Sequence, residues 1–167
     1  DNIKGKRIKY INPRIDGKIE FDDNTFDLIT CFGVLHHIPN VSFVLKELVR
    51  VLKPNGFLLI REPIVSMGDW RKKRIGLTKR ERGIPLGFFR KFIKDNNLKM
   101  ISEREVLFPI LRRVNFGKIK GGNSKFWVCQ DYILSKLFSF NKRYHSTKLW
   151  HKLRPQSVFY VLKKNRN

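Results

Sequence analysis

The chain has 167 residues and carries 36 Lys+Arg against 14 Asp+Glu, a formal net charge of +22. That length suffices for one domain with a real core, and no apolar run is long enough to span a bilayer. Two cysteines, Cys31 and Cys129, offer neither metal-ligand spacing nor a disulfide framework; with no charged-then-apolar leader at Asp1, both read as buried free thiols of a cytoplasmic protein.

The charge is uneven. Residues 1–66 hold 10 Lys+Arg and 8 Asp+Glu, which leaves 26 and 6 for residues 67–167. The basic half points to an acidic partner such as nucleic acid, an anionic membrane surface or an anionic acceptor, or to a compositional bias toward solvated lysines.

In chain order, Arg7 to Ile11 reads as a short strand, and Asn12 to Gly17 as a loop punctuated by Pro13 and Gly17. Asp22 to Thr25 is a turn whose neighbouring carboxylates suit solvent better than a metal. Phe26 to Cys31 is a nearly continuous apolar run broken by Asp27 and Thr30, the pattern of a strand covered on both faces. Gly33 lets the backbone leave that strand where a ligand can approach closely. Past Pro39-Asn40, Val44, Leu45, Leu48 and Leu52 mark one helix face, with Lys46, Glu47, Arg50 and Lys53 on the other. Pro54-Asn55-Gly56 stops the helix, and Phe57 to Ile60 begins a second buried strand. Strand, helix and strand within 38 residues make a βαβ unit with parallel strands. Ligands of such sheets bind beyond the carboxyl ends of the strands, which here are Cys31 to His37 and Arg61 to Pro63.

From Ser66 the chain turns basic, and residues 71–94 carry ten Lys+Arg against one acid, Glu81. Gly76, Thr78 and Gly83 argue for a loop or lid. Within it Trp70 can stack an acceptor ring while Arg71 and its neighbours hold phosphate or carboxylate. Pro85 starts a helix with Leu86, Phe89, Phe92 and Ile93 on one face, ending at Asn96-Asn97. Leu98 to Phe108 and Ser157 to Lys163 read as strands, separated by a long insert, Pro109 to Gln156. The middle of the insert, Phe126 to Phe140, reads as an aromatic helix that packs over the sheet or the acceptor pocket. The other use of that helix is at a membrane surface, favoured by Trp127, Tyr132 and lysines and opposed by Asp131. Tyr144, His145, His151 and Arg154 are further polar groups for an acceptor site.

His36-His37 is a poor metal clamp alone, because consecutive side chains diverge and no further His or Cys stands at useful spacing. No metal is expected. Glu62 follows the second strand at the mouth where an acceptor enters and is the candidate acid or base; a charged pair with Arg61 capping the strand is the alternative.

FDLITCFGVLHHI followed by KELVRVLKPNGFLLIREP, with the acidic lead-in FDDNTFD, resembles the fourth strand, helix and fifth strand of class I S-adenosylmethionine-dependent methyltransferases, in their type 11 branch. The resemblance covers about Ile8 to Phe108, with a return at Val158 to Leu162. It implies an α/β fold: a partial Rossmann-like methyltransferase sheet holding strands three to seven of the family order 3-2-1-4-5-7-6. The first two strands and the glycine-rich loop are expected to be missing, since none of the 11 glycines forms a G-x-G pattern after a strand, and a long insert precedes the last strand. On this reading residues 1–108 are the carboxyl-terminal part of the core, residues 109–156 an acceptor-side cap, and residues 157–167 the last strand and a basic tail. The strand Phe26 to Cys31 would then present an unpaired apolar edge.

The resemblance implies S-adenosyl-L-methionine as cofactor, held by Cys31, Phe32, Gly33 and Val34, with Asp16 placed to accept from the adenine amino group unless it is a plain turn aspartate. It puts His37 near the cofactor end of the strand, orienting the loop or serving as base, and Glu62 on the acceptor side. His36, Trp70, Arg71, Tyr144 and His145 would contact the acceptor. The expected function is methyl transfer by direct displacement to a small-molecule, glycan or lipid-linked acceptor, with peripheral membrane contact allowed and this chain inactive alone. The rivals are an RNA methyltransferase using the basic half as its RNA surface and a non-catalytic module that binds anionic surfaces.

Overall fold

The structure, a computed structural model, describes residues 2–3, 5–7, 9–69, 71–78, 81–109, 111 and 124–166. Strands β1 (Asn2–Ile3) and β2 (Lys6–Arg7) form an antiparallel two-residue hairpin. The main sheet is built from β3 (Phe26–Phe32), β4 (Leu52–Pro63), β5 (Leu98–Val106) and β6 (Ser157–Lys164), in the order β3-β4-β6-β5. Helices α1 (Val41–Val51), α2 (Leu86–Asp95) and α3 (Lys125–Leu137) complete the fold.

The βαβ reading holds. β3 and β4 are parallel, with Cys31 opposite Ile60 and Phe32 opposite Arg61, and α1 crosses between them. Pro54-Asn55-Gly56 bulges out of the start of β4, so that Leu52 faces Phe26 while Phe57 already faces Leu28. Asn55 takes φ 63° there, the left-handed conformation its side chain tolerates. β6 runs antiparallel to both neighbours and occupies the place between β4 and β5.

One core holds the molecule together. Val44 and Leu45 of α1 and Phe89, Phe92 and Ile93 of α2 pack with Leu58, Ile60, Val158, Tyr160 and Leu162, the inward side chains of β4 and β6. Alternation along these strands sends Phe57, Leu59 and Arg61 to the other face, as a period of two requires.

Several expectations are corrected. Lys9 to Ile11 is not extended in a strand, and among the described residues of that region only Lys6–Arg7 pair, in the hairpin; no described strand lies beside it to complete a ladder. β3 is covered on one face only: Leu28 is 56% and Phe32 44% exposed, because β3 is the edge of the sheet among the described residues and α1 packs on the opposite face. Cys129 is exposed rather than buried, while Cys31 is buried. Glu47, expected on the solvent side of α1, is buried beneath the loop 14–21. There it accepts from Arg50 Nε at 2.7 Å, Arg50 Nη2 at 2.8 Å and the backbone N–H of Ile19 at 2.9 Å. Arg50 also donates to the carbonyls of Ile19 and Phe21, both at 2.8 Å, so the pair staples this loop to the helix. Finally, α3 leaves much of its apolar surface, including Phe126, Ile133 and Leu137, exposed. Asp131 turns toward the protein and accepts from the N–H groups of Leu107 at 2.9 Å and Phe108 at 2.6 Å.

The Glu47 staple has a pH signature. The Arg50 hydrogen bonds, then burial acting against them and the Ile19 N–H in favour, bring the Glu47 carboxyl from its ordinary 4.5 to about 2. A carboxyl lowered on folding stabilises the fold above its unfolded value and loses that contribution as pH falls through its folded value. Glu47→Gln is therefore expected to be least stable relative to the parent near neutral pH. The gap should narrow from about pH 4.5 downward and nearly close by about pH 2, as read from urea midpoints across that range.

Candidate functional site

Both parallel strands deliver their carboxyl ends to one place. Gly33, at φ 68°, turns the chain out of β3 while its N–H still donates to the Arg61 carbonyl at 2.8 Å. The chain then folds into a single 3-10 turn, Leu35–His37. Beneath this turn lies Glu62, fully buried. Glu62 Oε1 accepts from the N–H groups of Val34 at 2.8 Å and Leu35 at 2.9 Å. Its Oε2 lies 2.7 Å from His36 Nδ1 and 3.4 Å from the His36 N–H. The turn needs such an acceptor, because its leading N–H groups have no partner within so short a helix.

This placement revises Glu62. It does not face the mouth as an open acid or base, since its oxygens are occupied by the turn it supports. His36, expected to touch an acceptor, is the carboxylate's partner, with its side chain 8% exposed against 44% for His37. The two imidazoles lie 4.0 Å apart between ring centres. Glu81, the lone acid of the basic segment, closes on both: its Oε1 is 3.6 Å from His36 Nε2 and its Oε2 3.6 Å from His37 Nδ1. Thr78 holds Glu81 through its N–H at 3.0 Å and its hydroxyl at 3.3 Å. That N–H, followed by the neighbouring imidazoles, keeps the Glu81 carboxyl below its usual range against the effect of burial.

Next to the turn is a cavity of about 630 Å³. Leu35, Ile38, Ile84 and Phe88 give it an apolar wall, and His36, Arg82, Tyr144 and His145 its polar groups. The Tyr144 hydroxyl donates to the Gly83 carbonyl at 2.6 Å, which ties the insert to the basic segment and fixes the rim.

The remaining predicted residues divide. Cys31 is buried next to the turn, and its thiol is pushed up to about 12 by desolvation and by Glu62, so it packs rather than reacts. Phe32 and Val34 are half exposed at the open edge, Phe32 lying 5.7 Å from the ring of Phe159. Asp16 stands apart from this cluster at the start of α1: its carbonyl accepts from Asn40 Nδ2 at 2.7 Å, and Arg14 holds its carboxyl down at about 2. Arg71 is exposed and paired with Asp69 at 2.9 Å, away from the cavity lining. Trp70 lies outside the described residues. Glu81 and Arg82 were not foreseen as site residues; the one signal was Glu81 standing as the only acid in a run of ten cations.

The model of the family described as "Methyltransferase domain" matches residues 2–60. The ubiquinone biosynthesis O-methyltransferase of Pasteurella multocida (strain Pm70) is 27% identical over 122 residues, which cover 71% of this chain and 49% of that protein. The enzyme of the same name from Vibrio campbellii is 27% identical over 105 residues, 61% of this chain and 45% of the relative. The chain thus spans about half the length of these curated relatives. Among solved structures, an S-adenosylmethionine-dependent methyltransferase from Mesorhizobium loti superposes with a TM-score of 0.54 at 13% identity, over 90% of this chain and 67% of that one. At that identity the likeness concerns the fold alone, and it agrees with the sequence match: residues 2–60 carry a methyltransferase-domain sequence, and the chain has the fold of S-adenosylmethionine-dependent methyltransferases.

Proposed function

We propose that this chain forms the acceptor side, and part of the donor side, of a methyltransferase that uses S-adenosyl-L-methionine to methylate a small-molecule, glycan or lipid-linked acceptor. The observation that carries the reading is the cavity at the carboxyl ends of two parallel strands, where open α/β sheets bind ligands.

The residues at the end of β3 suit the donor. A side chain built at Gly33 would meet nothing closer than 3.8 Å, so a ligand can reach the backbone there, and Phe32 and Val34 offer exposed apolar surface for an adenosyl group. When bound, the cofactor supplies an electrophilic methyl group on a sulfonium. The chain's own task is then alignment, with a base required only if the acceptor must lose a proton. His37, half exposed at the rim, is the residue for that role when no ion occupies it. Glu62 acts through the turn, by holding Val34 to His36 in position.

The apolar wall favours an acceptor with a hydrophobic body, in keeping with the quinone-pathway names of the relatives. Peripheral membrane contact through the exposed apolar surface of α3 and the basic half belongs to the same proposal, since a lipid-linked acceptor is reached at a membrane surface.

Amide NMR of the 167-residue chain tests this reading. Millimolar S-adenosylmethionine is expected to shift amides of residues 31–34 and the loop around Asp16, with an affinity weaker than micromolar. A hydroxylated aromatic acceptor should shift residues 36, 84, 88, 144 and 145. Absence of both sets of shifts overturns the proposal; salt-sensitive shifts with an RNA oligomer and none with the small acceptor would favour the RNA reading.

A further inference from the structure

We propose that His36, His37 and Glu81 form a binding site for a single divalent transition-metal ion, with zinc the best match to its two imidazoles and one carboxylate. One donor atom from each of the three lies within 4.8 Å of the others.

The spacing is that of ligands rather than of hydrogen bonds. Both N···O separations, His36 Nε2 to Glu81 Oε1 and His37 Nδ1 to Glu81 Oε2, are 3.6 Å, too long for a hydrogen bond. Four ligands placed at about 2.0–2.1 Å around zinc stand roughly 3.3 Å from one another. The two imidazole–carboxylate separations, each to a different oxygen of Glu81, are a few tenths of an ångström longer than such an edge, and with all three donor atoms within 4.8 Å of one another the side chains need only close in on an ion.

The orientation of His36 is independent support. With Nδ1–H donated to Glu62 Oε2 at 2.7 Å, the lone pair of the neutral ring resides on Nε2, the atom turned toward Glu81. A carboxylate behind a histidine is the usual outer partner of a metal-bound imidazole. Here that partner is itself fixed by the N–H groups of Val34 and Leu35, so the ring is set before any ion arrives. Glu81 supplies the ligand carboxylate, and Glu62 is the second acidic side chain at the site, behind His36. Thr78 holds Glu81 from behind through its N–H and hydroxyl, the same outer support on the other side.

The ion would bridge two parts of the chain 44 positions apart, the turn after β3 and the basic segment that borders the cavity. Its role is to fasten that segment, leaving the remaining coordination position to water or to an acceptor oxygen. The inference rests on the geometry of these side chains and not on the proposed methyl transfer, so its test needs no turnover.

Metal-free chain titrated with Zn²⁺ by calorimetry is expected to take up one ion saturably and to melt at a higher temperature as Zn²⁺ is added. His37→Ala, at a half-exposed position, and Glu81→Gln should each weaken uptake at least tenfold. X-ray absorption at the zinc edge of the parent protein should show nitrogen and oxygen neighbours, including imidazole, and no sulfur. That last measurement does not depend on either variant folding. No saturable uptake, uptake unchanged in both variants, or a sulfur neighbour at the ion would each overturn the proposal.

Discussion

Glu62→Ala is expected to lower stability by about 3–5 kcal/mol, the usual cost of removing one partner of a buried pair, and to lower the melting temperature by roughly 10–15 °C for a chain of this size. The reason is local and countable. Truncation leaves the N–H groups of Val34 and Leu35 and the His36 ring without the fully buried carboxyl they share, and each buried donor so stranded costs about 1–3 kcal/mol. Glu62→Gln retains the volume and one acceptor oxygen, so its loss should be clearly smaller. The ordering parent, Gln, Ala is the diagnostic, because a carboxylate that merely capped the strand with Arg61 would give near-neutral values for both. Chemical denaturation of the three proteins decides it: an alanine variant within about 1 kcal/mol of the parent would show that the turn finds other acceptors.

The second large effect is expected at Gly83. This residue brings the basic segment against the strand exit: its N–H donates to the Val65 carbonyl at 3.1 Å, the next N–H, of Ile84, donates to the Pro63 carbonyl at 2.7 Å, and its own carbonyl accepts from Tyr144. A side chain added at position 83 would fall 2.7 Å from the Val65 nitrogen and 2.8 Å from the Pro63 carbonyl oxygen, and against the Val65 carbonyl oxygen as well. These are backbone atoms next to the end of β4, which cannot swing aside as a flexible side chain would. Gly83→Ala should therefore sit at the upper end of the overpacking range, about 3 kcal/mol. It should also strip hydrogen-exchange protection from amides 83 and 84. Gly87→Ala is the control: its added methyl meets nothing within 4 Å on an exposed turn of α2, where alanine is favoured over glycine by about 0.8–1 kcal/mol. Equal protection at amide 84 in the Gly83 variant and the parent would mean that the segment is not fastened there.

The elements that could be read from the sequence are those specified by neighbours in the chain. Val44, Leu45 and Leu48 announce α1 by their spacing, and Asn97, at φ 55°, ends the segment that α2 begins; Pro54-Asn55-Gly56, read as the stop of the helix, instead forms a bulge within β4, since α1 already ends at Val51. Ser157 to Lys163 reads as β6 from its apolar run Val158 to Leu162, and the resemblance to a known family implies its position in the sheet. What escaped depends on partners far away in sequence. Glu47 reads as a surface residue of an amphipathic helix until Arg50 and the Ile19 N–H neutralise its burial. Glu62 reads as a group at the mouth because nothing near it in sequence reveals that the turn 26 to 28 residues earlier returns to donate to it. His36 and His37 looked like a doublet with no third ligand, since Glu81 reaches them only through the folded course of the basic segment. Arg7 to Ile11 has strand-like residues but no described neighbour to pair with, and composition alone does not supply one.

The position of β6 constrains the order in which the molecule can be made. β4 and β5 never touch as neighbours in the sheet, because β6 separates them and is hydrogen-bonded to both, yet β6 is synthesised after everything it joins. A nascent chain that has reached Gln156 holds the βαβ unit and, more than thirty residues further on, a strand with no ladder to enter. Three residues of the central core, Val158, Tyr160 and Leu162, have still to arrive. These four strands are thus joined in a single late event rather than strand by strand.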